Sequence, residues 1–257
     1  MRLSLLSCLA LVLPLAAAAE TGTIDWQRKV VKCTGTGAPN LRAAGGNVAV
    51  ARIGAERAAK LDALRNCMEA LKGVTVRSGE TVGGALSGTP GLQASVEGVV
   101  RGFRVVGSPR YFSDGGVEMD VEVPIEGKLS DLVMPRGGGA EKAPPASAEE
   151  PGTGLILDAR GQKISPALAP RILDESGKEV YGPGFLTADA RKWNGAAYAR
   201  DVDTARKELS GRVGEKPLVV KVLRAQGTDA VIKDSDADAL RRCQKALAEG
   251  RVVIVTD

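Results

Sequence analysis

Histidine is absent from all 257 residues. That excludes Ser-His-Asp and Cys-His nucleophiles and any histidine-ligated metal site. No CxxC occurs among the four cysteines, so thiol–disulfide catalysis and cysteine-rich zinc sites have no support. There is no P-loop and no G-x-S-x-G. Aromatics are scarce, with two Trp, three Tyr and three Phe, so the cores must be built from Val, Leu, Ile and Ala. Charge of one sign is lacking too. Residues 20–134 carry 14 Lys/Arg against 13 Asp/Glu, and 152–257 carry 18 against 15, which gives neither half the field of a nucleic-acid binder. Carboxylate-only acid–base chemistry remains open in principle, but no acid pair stands out from the background. The expectation is therefore no catalytic residue, no cofactor and no metal.

Long apolar runs are confined to the start. MRLSLLSCLALVLPLAAAA has a charged opening at Arg2, an apolar run and small residues for cleavage, which reads as a secretory signal peptide over 1–19 cut near Ala19. A membrane anchor is the rival, but it would reach the necessary ~18 residues only by counting Ser4, Ser7 and the alanines. Leu5-Leu6-Ser7-Cys8 resembles a lipidation box, yet too few residues precede Cys8 for the usual apolar core of ~7–15. The mature chain, about 240 residues and one or two domains, is expected outside the cytoplasm with no transmembrane segment.

Residues 20–134 form the first expected domain. Its organising stretch is NVAVARIGAERAAKLDALRNCMEALK, a helix over 47–72 closed by Gly73 at a position that favours positive φ. Val50, Ile53, Arg57, Leu61, Leu64, Met68 and Leu71 recur at helical spacing and predict the face that packs on a sheet, with Ala51, Ala55, Ala58 and Ala59 on the flanks. Strands are expected at 26–33, 74–76, 96–111 and 117–125. The segment 78–93 reads as a loop and SDGG as a hairpin turn. GTGAPN at 35–40 follows a strand, but the third glycine of a dinucleotide loop is missing and the helix starts too late, so it reads as a turn. In the last strand Val117, Met119, Val121, Val123 and Ile125 alternate with Glu118, Asp120 and Glu122, one face buried and one wet. Those three acids are a candidate interaction face, with Arg101 and Arg104 as expected pairing partners; a plain solvated face is the alternative. The order β-α-β-β-β describes a helix laid on an antiparallel sheet, an α+β fold.

Cys33 and Cys67 fall in this domain, in a compartment that permits disulfides. A bridge would close a loop of about 35 residues, worth about 3–4 kcal/mol in the chain-entropy picture. The alternative is two small buried hydrophobes that never meet. Cys243 is left without a partner.

VKCTGTGAPN, ARIGAERAAKLDALRNCMEALKGVTV, VEGVVRGFRVV and GGVEMDVEVPIEGKL together resemble the small bacterial envelope lipoprotein family that includes flagellar FlgP. They are similar also to the N-terminal domain of flagellar FlgT. The likeness covers about residues 26–130. It implies a periplasmic or outer-membrane-associated protein that assembles with copies of itself or with envelope and flagellar proteins, and it implies no reaction.

PRGGGAEKAPPASAEEPGT, residues 135–153, reads as an extended linker that lets the two halves move independently. Residues 154–257 form a second mixed domain. Strands are expected at 154–159, 218–224, 230–232 and 251–256, a hairpin at 171–181, and helices near 187–192, 201–210 and 235–249. Asp234, Asp236 and Asp238 imitate the opening of a calcium loop, but Ala239 and Lys245 stand where glycine and glutamate belong, so they read as acids at a helix N-terminus. Asp158, Arg160, Trp193 and Tyr198 are candidates to line a pocket. The reading that follows is a non-enzymatic envelope protein, structural or assembly-related; the rival is a periplasmic module that binds a glycan, peptidoglycan or small molecule.

Overall fold

A computed structural model describes residues 22–135 and 150–257. The expected signal peptide and all but the ends of the 135–153 linker lie outside the described residues. The architecture is mixed α+β with several sheets.

In the first domain β1 (Gly22–Asp25), β2 (Val30–Gly37), β5 (Arg104–Tyr111) and β6 (Val117–Pro124) make one antiparallel sheet in the order β1-β2-β6-β5. Helix α1 (Val48–Lys72) lies on one face of it. Asn47 opens the helix, its side chain accepting the Ala49 and Val50 N–H groups. Gly73 closes it at φ −78°, so the left-handed cap expected there is not formed and the chain runs straight on.

The face α1 buries is not the bulky one. Ala51, Ala55, Ala59, Ala63, Cys67 and Leu71, a strict i+4 stripe, meet the sheet. The cause lies in β2. A Cβ at Gly35 would fall on the backbone of Ala59 and Ala63, and one at Gly37 on that of Ala55 and Ala59. The two glycines let the helix backbone sit almost on the strand, and only small side chains fit between them. GTG is thus strand, not turn; of the bulky stripe Val50, Ile53 and Leu61 are turned outward, while Leu64 and Met68 pack partly buried against the core and Leu71 is buried.

Between α1 and β5 the chain makes a small hairpin, β3 (Thr75–Arg77) with β4 (Glu80–Thr81), then α2 (Val82–Leu86) and α3 (Pro90–Val100). The expected strand over 96–111 is therefore helix up to Val100. Pro90 sets the first turn, and Val96 and Val100, four apart, are buried together. The expected strand at 74–76 stays out of the main sheet. α4 (Lys128–Val133) ends the domain.

The second domain centres on a parallel sheet, β10 (Ala197–Ala199), β14 (Val252–Val255), β7 (Leu155–Asp158) and β11 (Leu218–Lys221), in that order. Leu155-Ile156-Leu157 of β7 and VVIV of β14 are apolar on both faces because both faces are covered. One face packs on α6 (Val202–Glu208) and α7 (Ser210–Val213). The other joins the large core that continues into the first domain. A second sheet runs β12 (Arg224–Gln226), β13 (Asp229–Val231), β8 (Ile172–Leu173) and β9 (Glu179–Tyr181). α5 (Ala188–Lys192) precedes β10. The expected 235–249 helix is two, α8 (Asp234–Arg241) and α9 (Gln244–Ala248), broken at Arg242-Cys243.

The halves are docked rather than loosely tethered. Leu168 and Ala169 donate backbone hydrogen bonds to Thr75 and Val76 carbonyls of β3 (3.0 and 2.8 Å), extending that hairpin across the boundary. Ser130 Oγ donates to the Arg191 carbonyl (2.7 Å). Trp26 and Tyr198 meet edge to face at 5.6 Å.

Candidate functional site

Cys33 on β2 and Cys67 on α1 are joined by a disulfide, with Cα atoms 5.5 Å apart. The bond fastens the helix to the strand where glycines bring them close, which is a structural task. Cys243 is buried and unbridged, and burial raises its thiol pKa.

Glu118, Asp120 and Glu122 share the sheet face away from α1, but each is engaged. Arg110 reaches both Glu118 (2.7 Å) and Asp120 (2.5 and 2.9 Å). Its hydrogen bonds pull the Asp120 pKa down, helped by Thr34 Oγ1. Glu122, only 5% exposed, is paired with Arg28 from the β1–β2 turn at 2.6 Å. The expected partners Arg101 and Arg104 are not used: Arg101 caps α3, and Arg104 lies across from Glu122 in register while Arg28 holds the carboxylate. The acid row is thus neutralised from within rather than offered as a bare anionic surface.

The second-domain candidates do not converge. Asp158 and Arg160 pair with each other at the carboxyl end of β7 (2.8 and 2.7 Å). Tyr198 is buried, its hydroxyl accepting from Ala167 N–H and donating to Ala167 carbonyl. Trp193 is 57% exposed, and Arg160, paired to Asp158, is exposed as well. Asp234 sits at the start of α8, where it and Glu175 each donate a backbone N–H to the other's carboxylate. Among the described residues no group of three or more His, Cys, Asp or Glu is arranged to hold a metal.

Two features stand out that local sequence did not reveal. The first is the outer face of α1. Val48, Val50, Ile53 and Leu61 stand in solvent, Ile53 at 51% and Leu61 at 67% exposure. Val105, Tyr111 and Phe112 are exposed on and after the edge strand β5, while Val106, in register with Asp120, is exposed on the sheet's other face. Tyr111 ties the two together: its hydroxyl donates to Glu56 at 2.9 Å, and the Arg52 guanidinium carbon lies 5.3 Å from its ring centroid.

The second is a crevice of about 400 Å³ between the domains, lined by Lys29, Trp193, Leu209, Gly211, Arg212 and the 249–251 segment. Lys29, in the β1–β2 turn, reaches Glu126 at 2.9 Å. Arg251 pairs with Glu249 at 2.7 Å. Arg212, on α7, instead donates to three backbone carbonyls, Gly250 (2.9 Å), Trp193 (2.8 Å) and Asn194 (2.9 Å), and meets no carboxylate among the described residues. Burial lowers the pKa of Arg212. Burial and then the Arg212 charge lower that of Lys29, against the pull of Glu126. Lys29 and Asn194 hold left-handed backbone at φ 54° and 63° without being glycine. Asn194 is buried and its Oδ1 has no hydrogen-bond partner. Residues 29, 193, 212 and 251 are far apart in the chain and carry no spacing that would have joined them.

Residues 154–257, the span of the second domain, match the domain family described as Treponema pallidum Tp0624, second domain. No curated protein matches the chain.

Proposed function

We propose that this is a non-enzymatic cell-envelope protein that acts as a structural or assembly factor, docking envelope or flagellar proteins and further copies of itself on its first domain. The observation that carries the reading is the orientation of α1. The helix spends its alanine stripe on its own sheet and leaves Val48, Val50, Ile53 and Leu61 in water. Exposed apolar side chains gathered on one helix are a feature of surfaces that partners cover. The neighbouring edge strand β5 has hydrogen-bonding groups unpaired on its outer side among the described residues, which suits addition of a partner strand. The N-terminal segment and the likeness of residues 26–130 to flagellar envelope proteins support a periplasmic or outer-membrane-associated location. Crosslinking of the full-length protein in intact cells tests the proposal: discrete adducts, to itself or to envelope proteins, are expected, and a monomer with no adduct would refute it.

A further inference from the structure

We infer that the crevice between the domains is a binding site for a small organic monocarboxylate carrying an apolar or planar group. The site stands apart from the docking face on α1.

The charge follows from the cations that line it. Lys29 and Arg251 are each closed by a carboxylate, Glu126 and Glu249. Arg212 is not; three carbonyl dipoles hold it, Glu126 acts on it only at a distance while paired to Lys29, and among the described residues the cluster is left with one positive charge in excess. Three of the five N–H groups of its planar fork are spent on those carbonyls, and the remaining two are free to donate. A partly buried guanidinium in low-dielectric surroundings attracts an anion far more strongly than an exposed one. One unpaired positive charge suits a monoanion; a phosphate dianion would bring an excess.

The apolar half follows from the walls. Trp193 presents its indole at the rim, Leu209 adds aliphatic surface, and Gly211 and Gly250 offer bare backbone. The volume, about 400 Å³, is at the lower end of small-molecule pockets and too small for a folded partner. The strained backbone at Lys29 and Asn194 belongs to the same place. Lys29 lines the crevice, and Asn194 follows Trp193 and accepts from Arg212. Strain of this sort persists where surrounding structure forces it and gathers at ligand sites. The unmatched Asn194 Oδ1 lies in the same segment, but it is an acceptor and a carboxylate could not satisfy it.

Titration calorimetry on the full chain tests this with benzoate, phenylacetate and 4-methylpentanoate, each against its neutral alcohol. At least one acid should bind saturably and about tenfold more tightly than its alcohol, the worth of one charge-assisted hydrogen bond, and weaken with salt. Arg212→Lys keeps the charge but loses the fork, and because it also loosens three backbone segments, Trp193→Ala and Arg251→Gln serve as variants at half-exposed positions. Loss of affinity in Trp193→Ala or Arg251→Gln, with unchanged melting temperature, supports the site. A tripeptide ending in phenylalanine that outbinds benzoate would identify a chain end as the source of the carboxylate. Equal binding of acids and alcohols, absence of saturation, or full affinity in both Trp193→Ala and Arg251→Gln would overturn the inference.

Discussion

Gly35→Ala is the sharpest test of how α1 is seated. The added methyl would fall on the Ala59 carbonyl and the Ala63 backbone, and its distance to Ala63 Cα would be 2.6 Å, where ordinary carbon contact begins near ~3.5 Å. The obstacle is helix backbone, which has no rotamer to change, so α1 must lift from β2. The stripe Ala55, Ala59, Ala63 and Cys67 then loses its contact, and the disulfide resists the movement. Overpacking of a tight core costs about 1–3 kcal/mol, and a backbone obstacle places this substitution at or above the top of that range. For a chain of this size that is a fall in Tm of about 6–12 °C. Gly54 is the control. It lies mid-helix on the same α1 with nothing within 4 Å of an added Cβ, so Gly54→Ala should stabilise by about 1 kcal/mol through helix propensity alone. Urea unfolding of both variants under oxidising conditions reads the difference. Gly35→Ala as stable as the parent would refute the close seating of α1 and, with it, the outward turn of its bulky face.

Reducing Cys33–Cys67, or Cys33→Ser with Cys67→Ser, releases a loop set by a sequence separation of 34 and should lower stability by about 4 kcal/mol, seen as a lower urea midpoint with dithiothreitol. Asp174, held by Ser176, the Lys178 N–H and Arg241, has its pKa pushed down to about 2. A depressed carboxylate stabilises the fold fully above its unfolded pKa near ~3.9 and loses that contribution as pH falls through its folded value. The β8–β9 hairpin should therefore loosen between about pH 4 and pH 2, and Asp174→Asn should flatten that part of the stability–pH curve.

Much of the architecture could be read from residue patterns. The alternation from Val117 to Ile125 is buried and exposed as its period requires, with Glu122 drawn in by Arg28. LIL of β7 was recognisable as a buried strand, and VVIV as a strand, because a doubly covered strand is apolar on both faces. The seating of α1 was misleading for a physical reason: hydrophobic spacing points bulky side chains toward a core, but here the partner strand carries glycine, and closeness selects alanine instead. α3 was hidden by glycine and valine, poor helix formers that burial overrides. β10 is three residues, too short to show a period. The crevice was invisible because its lining comes from both domains, and the docking that assembles it depends on contacts such as Leu168 with Thr75 that no local pattern encodes.

The outer face of α1 and the β5 edge are where partners should bind. Crosslinking in intact cells of the parent protein beside Ile53→Glu with Leu61→Glu, followed by mass spectrometry of the adducts, decides the matter. Both side chains are more than half exposed, so the fold and Tm should be unchanged within the usual surface range of about 0.5 kcal/mol. Envelope-protein or self adducts are expected in the parent and should be lost in the variant. Identical adducts in both, or none in either, would contradict this expectation.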